Sequence, residues 1–239
     1  MIELVGFDGD DTLWHSEGYY QAAHAEFERI VGSYVDLTDL RLHERLLAVE
    51  RGNIALFGYG AKGMTLSLLE TAIELTDARI SAQDLQRIIA IGKEVLAHPV
   101  ELLPGIRAAV EAVAAHHQIV LITKGDLFHQ EQKVARSGLA GLFQRIEIVS
   151  EKDPAAYRRV LAQFPGVSME RFAMVGNSLR SDIAPVVELG GWGVHMPYHV
   201  TWAHEVETSF NGSPRVIEIA QPAAIPAAVA QLDALQRAA

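Results

Sequence analysis

The chain has 239 residues, 49% apolar and 21% charged, with 30 acids against 20 bases for a net charge of −10 and no cysteine. This excludes intrinsic disorder as the general state, and it excludes disulfides, thiolate metal sites and a cysteine nucleophile. The negative balance argues against a nucleic-acid partner, and no run nears the ~20 apolar residues of a membrane span.

The opening run Ile2–Phe7 is apolar and ends in carboxylates, as a buried strand would at a functional edge. It lacks the basic start and long apolar core of a signal peptide, so a cytoplasmic protein with no membrane partner is expected. Residues 15–100 carry almost no strand signal. Tyr20, Ala23, Phe27, Ile30, Val31 and Tyr34 recur at spacings of three and four, the apolar face of a helix. Thr38 is placed to cap the next helix, which carries Leu42, Leu46, Val49 and Phe57. Met64, Leu68, Ala72, Ile73 and Thr76 mark a third, and Ser81 with Asp84 forms a capping box for a fourth bearing Leu85, Ile88, Ile89 and Leu96. Pro99 and Pro104-Gly105 close this region.

Five further strands are predicted, at Ile119–Thr123, Ile146–Ser150, Phe172–Gly176, Trp192–Met196 and Arg215–Ile219, with helices near Leu127–Ser137 and Pro154–Phe164. From Gln221 onward, Ile225, Val229, Leu232 and Leu235 form one stripe of a terminal helix. Strands alternating with helices predict an α/β fold, a Rossmann-like doubly wound parallel sheet. The domain reading is a catalytic core of residues 1–14 and 101–239 with an all-helical cap inserted at 15–100.

Asp8-Gly9-Asp10-Asp11-Thr12 places three carboxylates in four positions at the end of the first strand. Carboxylates this close repel unless a proton or cation is shared, and a hard divalent ion with oxygen ligands such as Mg²⁺ resolves the conflict. An isolated DxD is more often a solvated turn. Here, however, Thr123, Lys152 and the segment Gly176-Asn177-Ser178-Leu179-Arg180-Ser181-Asp182 each follow another predicted strand. Together they offer a metal site, an anion site and a spare carboxylate on one edge of one sheet.

These four elements resemble the ordered motifs of the haloacid dehalogenase (HAD) superfamily, with the helical insertion where that family carries a C1-type cap. The resemblance implies Asp8 as nucleophile, Asp10 as general acid and base, and Thr123 and Lys152 as holders of the transferring phosphoryl group. It implies Mg²⁺ held by Asp8, the Asp10 backbone carbonyl and the last motif, with Asn177 and Asp182 as its candidates. Lys124 joins the expected substrate-binding residues. Asn177 stands where most members carry aspartate, which removes a formal charge from the metal site and keeps a binding-only role in view. Asp10 argues for phosphoryl chemistry over dehalogenation, because a halide needs no acid to leave and an alkoxide does. The expected activity is therefore a Mg²⁺-dependent phosphatase acting on a small phosphorylated substrate. A phosphomutase also fits, and a dehalogenase is the other enzymatic alternative. A closing cap would exclude water and favour small substrates.

Other signals weigh less. Gly58-Tyr59-Gly60-Ala61-Lys62-Gly63 matches GxGxxG but lies between helices without a βαβ unit, so it reads as a loop, with Tyr59 and Lys62 as possible substrate contacts. The ten histidines, including His199 with His204 and His116 with His117, lack the spacing of a zinc site. His15 alone stands close enough to the nucleophile motif to touch a leaving group. Trp14, Trp192 and Trp202 are scattered rather than interleaved with bases. Nothing in the sequence fixes the oligomeric state.

Overall fold

The computed structural model describes residues 1–36, 41–200 and 212–238, with the backbone alone at 41–43 and 238. Thr38, Trp202, His204 and the side chain of Leu42 lie outside the described residues. In chain order, β1 (Leu4–Phe7) is followed by α1 (Glu17–Val31), α2 (Arg41–Phe57), α3 (Ala61–Leu75) and α4 (Ala82–Ala97). Next come α5 (Ile106–Ala114), β2 (Gln118–Lys124), α6 (Leu127–Ser137), β3 (Arg145–Val149), α7 (Pro154–Leu161) and β4 (Phe172–Gly176). The described chain ends with α8 (Ala184–Glu188), β5 (Trp192–His195), β6 (Val216–Glu218) and α9 (Ile225–Ala238). No described helix is long and apolar enough to cross a membrane.

The chain forms two compact units: Met1–Glu17 with Val100–Lys124 and Gln130–Ala239, and Gly18–Pro99 with Gly125–His129. In the first unit the strands build one sheet of order β3-β2-β1-β4-β5-β6. Every neighbouring pair is parallel. The strand alternation of period two explains its layers. Val5, Phe7, Ile119, Leu121, Ala173 and Val175 join one core with Ile106 and Val110 of α5 and Val229 and Leu232 of α9. Leu4, Val120, Ile122, Phe172 and Met174 join another, with Tyr157 and Val160 of α7 and Val186 of α8. Apolar runs without alternation thus mark strands covered on both faces. Pro154 opens α7 behind the N-cap Asp153, whose side chain accepts the Ala156 N–H at 2.7 Å.

The helical unit has its own core, in which Phe27, Ile30, Leu46, Leu68 and Ile88 are buried. Ser81 caps α4 by accepting the Asp84 N–H at 3.0 Å, as the capping box predicts. Ile73 and Ile89, expected on inner faces, are exposed; each is one residue, or about 100°, past a buried neighbour, Ala72 or Ile88. Phe57 and Leu235 are likewise exposed at helix ends. The glycines of the GxGxxG segment serve the α2–α3 turn. Gly58 and Gly60 have φ of 75° and 113°, and a Cβ on Gly63 would lie 2.8 Å from the Gly58 carbonyl oxygen.

Candidate active site

The sheet order reverses direction between β1 and β4, since β2 and β3 extend to one side of β1 and β5 and β6 to the other side of β4. In such sheets the carboxyl ends of the two central strands diverge and leave a crevice. Asp8 follows β1 and Asn177 follows β4, so the two motifs flank that switch point. The Gly9–Trp14 turn is tight: the N–H groups of Thr12, Leu13 and Trp14 all point at the Gly9 carbonyl. A Cβ on Gly9 would come within 2.9 Å of Trp14 and 3.1 Å of Thr123 Oγ1, so the loop after Asp8 and the end of β2 approach closely.

Asp8, Lys152 and Asp182 form one buried cluster. The Lys152 ammonium donates to Asp8 Oδ1 and, at 2.7 Å, to Asp182 Oδ1. The other Asp182 oxygen accepts the Ser178 N–H at 3.0 Å. Ser178 also caps the single π-turn Leu179–Ile183, which carries Asp182 back under Gly176; a Cβ on Gly176 would sit 2.3 Å from the Asp182 carboxyl. Thr12 ties the metal candidates together, since its hydroxyl lies 3.0 Å from Asp8 Oδ2 and 3.3 Å from Asn177 Oδ1. Burial pushes the Asp8 carboxyl up to about 7 against the pull of Lys152, and Asp182 adds to the rise. The same two carboxylates outweigh the burial of Lys152 and hold its ammonium firmly protonated. Two buried carboxyls face one ammonium here, so with both ionised the cluster carries one surplus negative charge.

Asp10 points to different partners. Trp14 Nε1 donates to its Oδ1 at 2.6 Å, Lys133 Nζ to the same oxygen at 2.8 Å, and Gln130 Nε2 to Oδ2 at 2.9 Å. Burial opposes ionisation of Asp10, but the charge of Lys133 and the three donors prevail and hold the carboxyl below its usual range. Asp11 plays a structural part. At φ 61° it turns back so that its carboxylate accepts the N–H groups of Ser16 and Glu17, opening α1. Burial, with Asp10 nearby, raises its carboxyl to about 7.

Thr123 is buried at the end of β2, while Lys124 reaches Ser181 Oγ at 2.9 Å and Glu151 at 3.5 Å. Asp8, Asp182 and Lys152 are therefore in direct contact, Asn177 joins them through the Thr12 hydroxyl, Thr123 lies against their loop, and Lys124 lies against the π-turn. Lys62 belongs to the helical unit, where its ammonium pairs with Asp126 at 2.9 Å and sits 5.6 Å from the Phe128 ring. His15 contacts Tyr198 through Nδ1 at 2.6 Å. Among the described residues no three His, Cys, Asp or Glu side chains converge as on a metal.

Sequence reasoning missed several members. Thr12 stood in the motif without a role, and its position four residues after Asp8 was the available signal. Gln130 and Lys133, three apart on α6, are polar residues on a helix face that continues with buried Val134 and Ser137. His195, at the end of β5, contacts the Asn177 carbonyl through Nε2 at 3.2 Å and Glu218 through Nδ1 at 3.1 Å. Strand ends distant in sequence made that contact, and no local pattern announces it.

Residues 2–190 match the family model described as haloacid dehalogenase-like hydrolase. Among curated proteins none matches the chain. Among solved structures, a haloacid dehalogenase-like family hydrolase from Xanthomonas campestris is 56% identical with a TM-score of 0.88, covering 99% of this chain and 94% of its own. The HAD hydrolase YfnB of Bacillus subtilis, bound to magnesium, is 18% identical with a TM-score of 0.58, covering 93% of this chain and 96% of its own. A 2-haloacid dehalogenase from Pseudomonas syringae is 21% identical with a TM-score of 0.61, covering 97% and 99%. The last two share the fold.

Proposed function

Given that the chain belongs to the haloacid dehalogenase-like hydrolases, we propose that it is a Mg²⁺-dependent phosphatase hydrolysing a small phosphate ester through an aspartyl-phosphate on Asp8. The observation that carries this reading is a second carboxylate, the partly buried Asp10, two residues after the nucleophile and held by three donors. A halide leaves without a proton; the alkoxide of a phosphate ester does not.

The donor set suits magnesium. Asp8 Oδ2 and Asn177 Oδ1 both approach the Thr12 hydroxyl, all donors are oxygens, and the surplus buried charge calls for a cation. Asp8, Asn177 and the Asp10 main-chain carbonyl would hold the ion, while Asp182 spends its oxygens on Lys152 and Ser178. Bound there, the ion would offset repulsion between a carboxylate nucleophile and a phosphate dianion.

The residues then divide the work. An Asp8 oxygen bonds to phosphorus as the ester P–O bond breaks, and the departing oxygen takes a proton from Asp10, whose protonation an incoming phosphate dianion would favour against the pull of Lys133. Asp10 next takes a proton from water, whose oxygen bonds to phosphorus as the P–O bond to Asp8 breaks, releasing phosphate and returning Asp8 to a carboxylate and Asp10 to the protonated acid. Lys152, already on Asp8, and Thr123 meet the charge of the transferring phosphoryl group. Lys124 offers a second cation at the rim. Phosphate release from p-nitrophenyl phosphate tests the reading: it should require Mg²⁺ and vanish in Asp8→Asn. Release that persists in Asp8→Asn, or none in wild type, would refute it. Asn177 supports one other reading, a binding protein with little turnover. That reading predicts calorimetric binding of a phosphate ester without release, and release restored by Asn177→Asp.

A further inference from the structure

The geometry points to Lys133 and Gln130 as positioning residues that leave Asp10 a single place to carry its reacting proton. This rests on the phosphatase reading, in which Asp10 handles that proton. A carboxylate offers about four lone-pair sites, two on each oxygen. Trp14 Nε1 and Lys133 Nζ occupy both on Oδ1, at 2.6 and 2.8 Å, and Gln130 Nε2 occupies one on Oδ2 at 2.9 Å. An indole N–H and an ammonium donate and cannot accept. The Gln130 amide cannot turn its oxygen to Asp10 either, because Nε2 also serves the Lys124 carbonyl at 2.8 Å. None of the three partners can therefore receive a proton from Asp10, and the remaining lone pair of Oδ2 is the one open to substrate or water.

A second observation bears on the same side chain. Gln130 is buried, and its Oε1 has no hydrogen-bond partner among the described residues. A buried orphan acceptor costs stability, and a flipped amide would lose both of its present bonds. The amide is thus held in this sense by what Nε2 serves. Lys133 adds charge where Asp10 becomes a carboxylate as its proton leaves, so its pull matters most when the proton transfer is most needed.

The test follows kcat/KM, which reports phosphoryl transfer to Asp8 and not the later hydrolysis common to every ester, for para-substituted phenyl phosphates, from the nitro ester to the methoxy ester with its more basic leaving group. It compares wild type, Asp10→Asn, Lys133→Met, Lys133→Arg and Gln130→Leu, with melting temperatures for each. Lys133→Met and Gln130→Leu should slow the methoxy ester on the order of 30-fold or more, inside the 10²–10⁴ that a positioned acid supplies, and the nitro ester less than about threefold. KM should move less than about twofold, and Lys133→Arg should recover much of the loss. A purely structural role would slow all esters alike. If Asp10→Asn steepens the leaving-group dependence while Lys133→Met and Gln130→Leu do not, the inference fails and the phosphatase reading stands. If wild type releases no phosphate from any ester with saturating Mg²⁺, both fall. Should Lys133→Met not fold, Gln130→Leu, which exchanges one neutral side chain for another, decides the matter alone.

Discussion

Replacing Lys152 by methionine removes the one ammonium that lies between Asp8 and Asp182, leaving two buried carboxylates facing each other. Breaking a buried pair in this way costs about 3–5 kcal/mol. For a chain of this size, ~2–4 °C of melting temperature accompany each kcal/mol, so a fall of roughly 6–20 °C is expected. The loss is tied to pH through Asp8. A carboxyl raised from its ordinary 3.8 to about 7 binds more protons folded than unfolded, so in metal-free wild type the stability present below pH 4 is lost as pH rises through 7. That rise corresponds to on the order of 4 kcal/mol. Asp11, raised to about 7 as well, contributes in the same direction. Without Lys152 the Asp8 carboxyl rises further, so the penalty of Lys152→Met is smaller at pH 5.5, where Asp8 is protonated in both proteins, than at pH 8. Calorimetric melting in chelator at the two pH values measures this, and added Mg²⁺ should flatten the wild-type slope. A Lys152→Met protein that melts with wild type at pH 8 would refute the charge accounting. So would a metal-free wild type whose stability rises between pH 5.5 and 8.

Asn177→Asp adds the formal charge that the cation site lacks and should lower the Mg²⁺ concentration for half-maximal phosphate release by about tenfold, the effect of ~1.4 kcal/mol; an unchanged Mg²⁺ titration would remove Asn177 from the metal's surroundings. In the helical unit, a Cβ on Gly92 would stand 1.9 Å from Thr65 Oγ1, so Gly92→Ala should cost about 1–3 kcal/mol by overpacking, and Thr65→Ala in the same background should return part of it; urea melts that match wild type would contradict the packing of α3 on α4.

Much of the sheet was legible because burial on both faces writes itself as short unbroken apolar runs, and each of the six observed strands overlaps a predicted one. Helix faces were less legible at their margins. Ile73 and Ile89 are apolar yet exposed, and composition cannot tell the edge of a stripe from its centre. In the site, the residues readable in advance were those that follow strands, because a parallel sheet delivers all its carboxyl ends to one edge. What stayed hidden was supplied by helix faces and by tertiary contact. The Gln130–Lys133 face reads as ordinary polar helix until β1 brings Asp10 against it. The division between Asp10, neutralised by α6, and Asp8, paired with Lys152, is also invisible in a run of three aspartates. The Asp11 backbone, at φ 61°, turns the third carboxylate away to serve α1.

The central claim, covalent phosphoryl transfer to Asp8, is tested most directly by chemical trapping. Enzyme turning over a phosphate ester with Mg²⁺ is quenched, reduced with borohydride and digested, and the peptide carrying residue 8 is read by mass spectrometry. An aspartyl-phosphate is reduced to homoserine, so the account predicts that mass change at position 8 and at no other aspartate. Phosphate release with residue 8 unmodified, or the change found at Asp10, Asp11 or Asp182 instead, would contradict it.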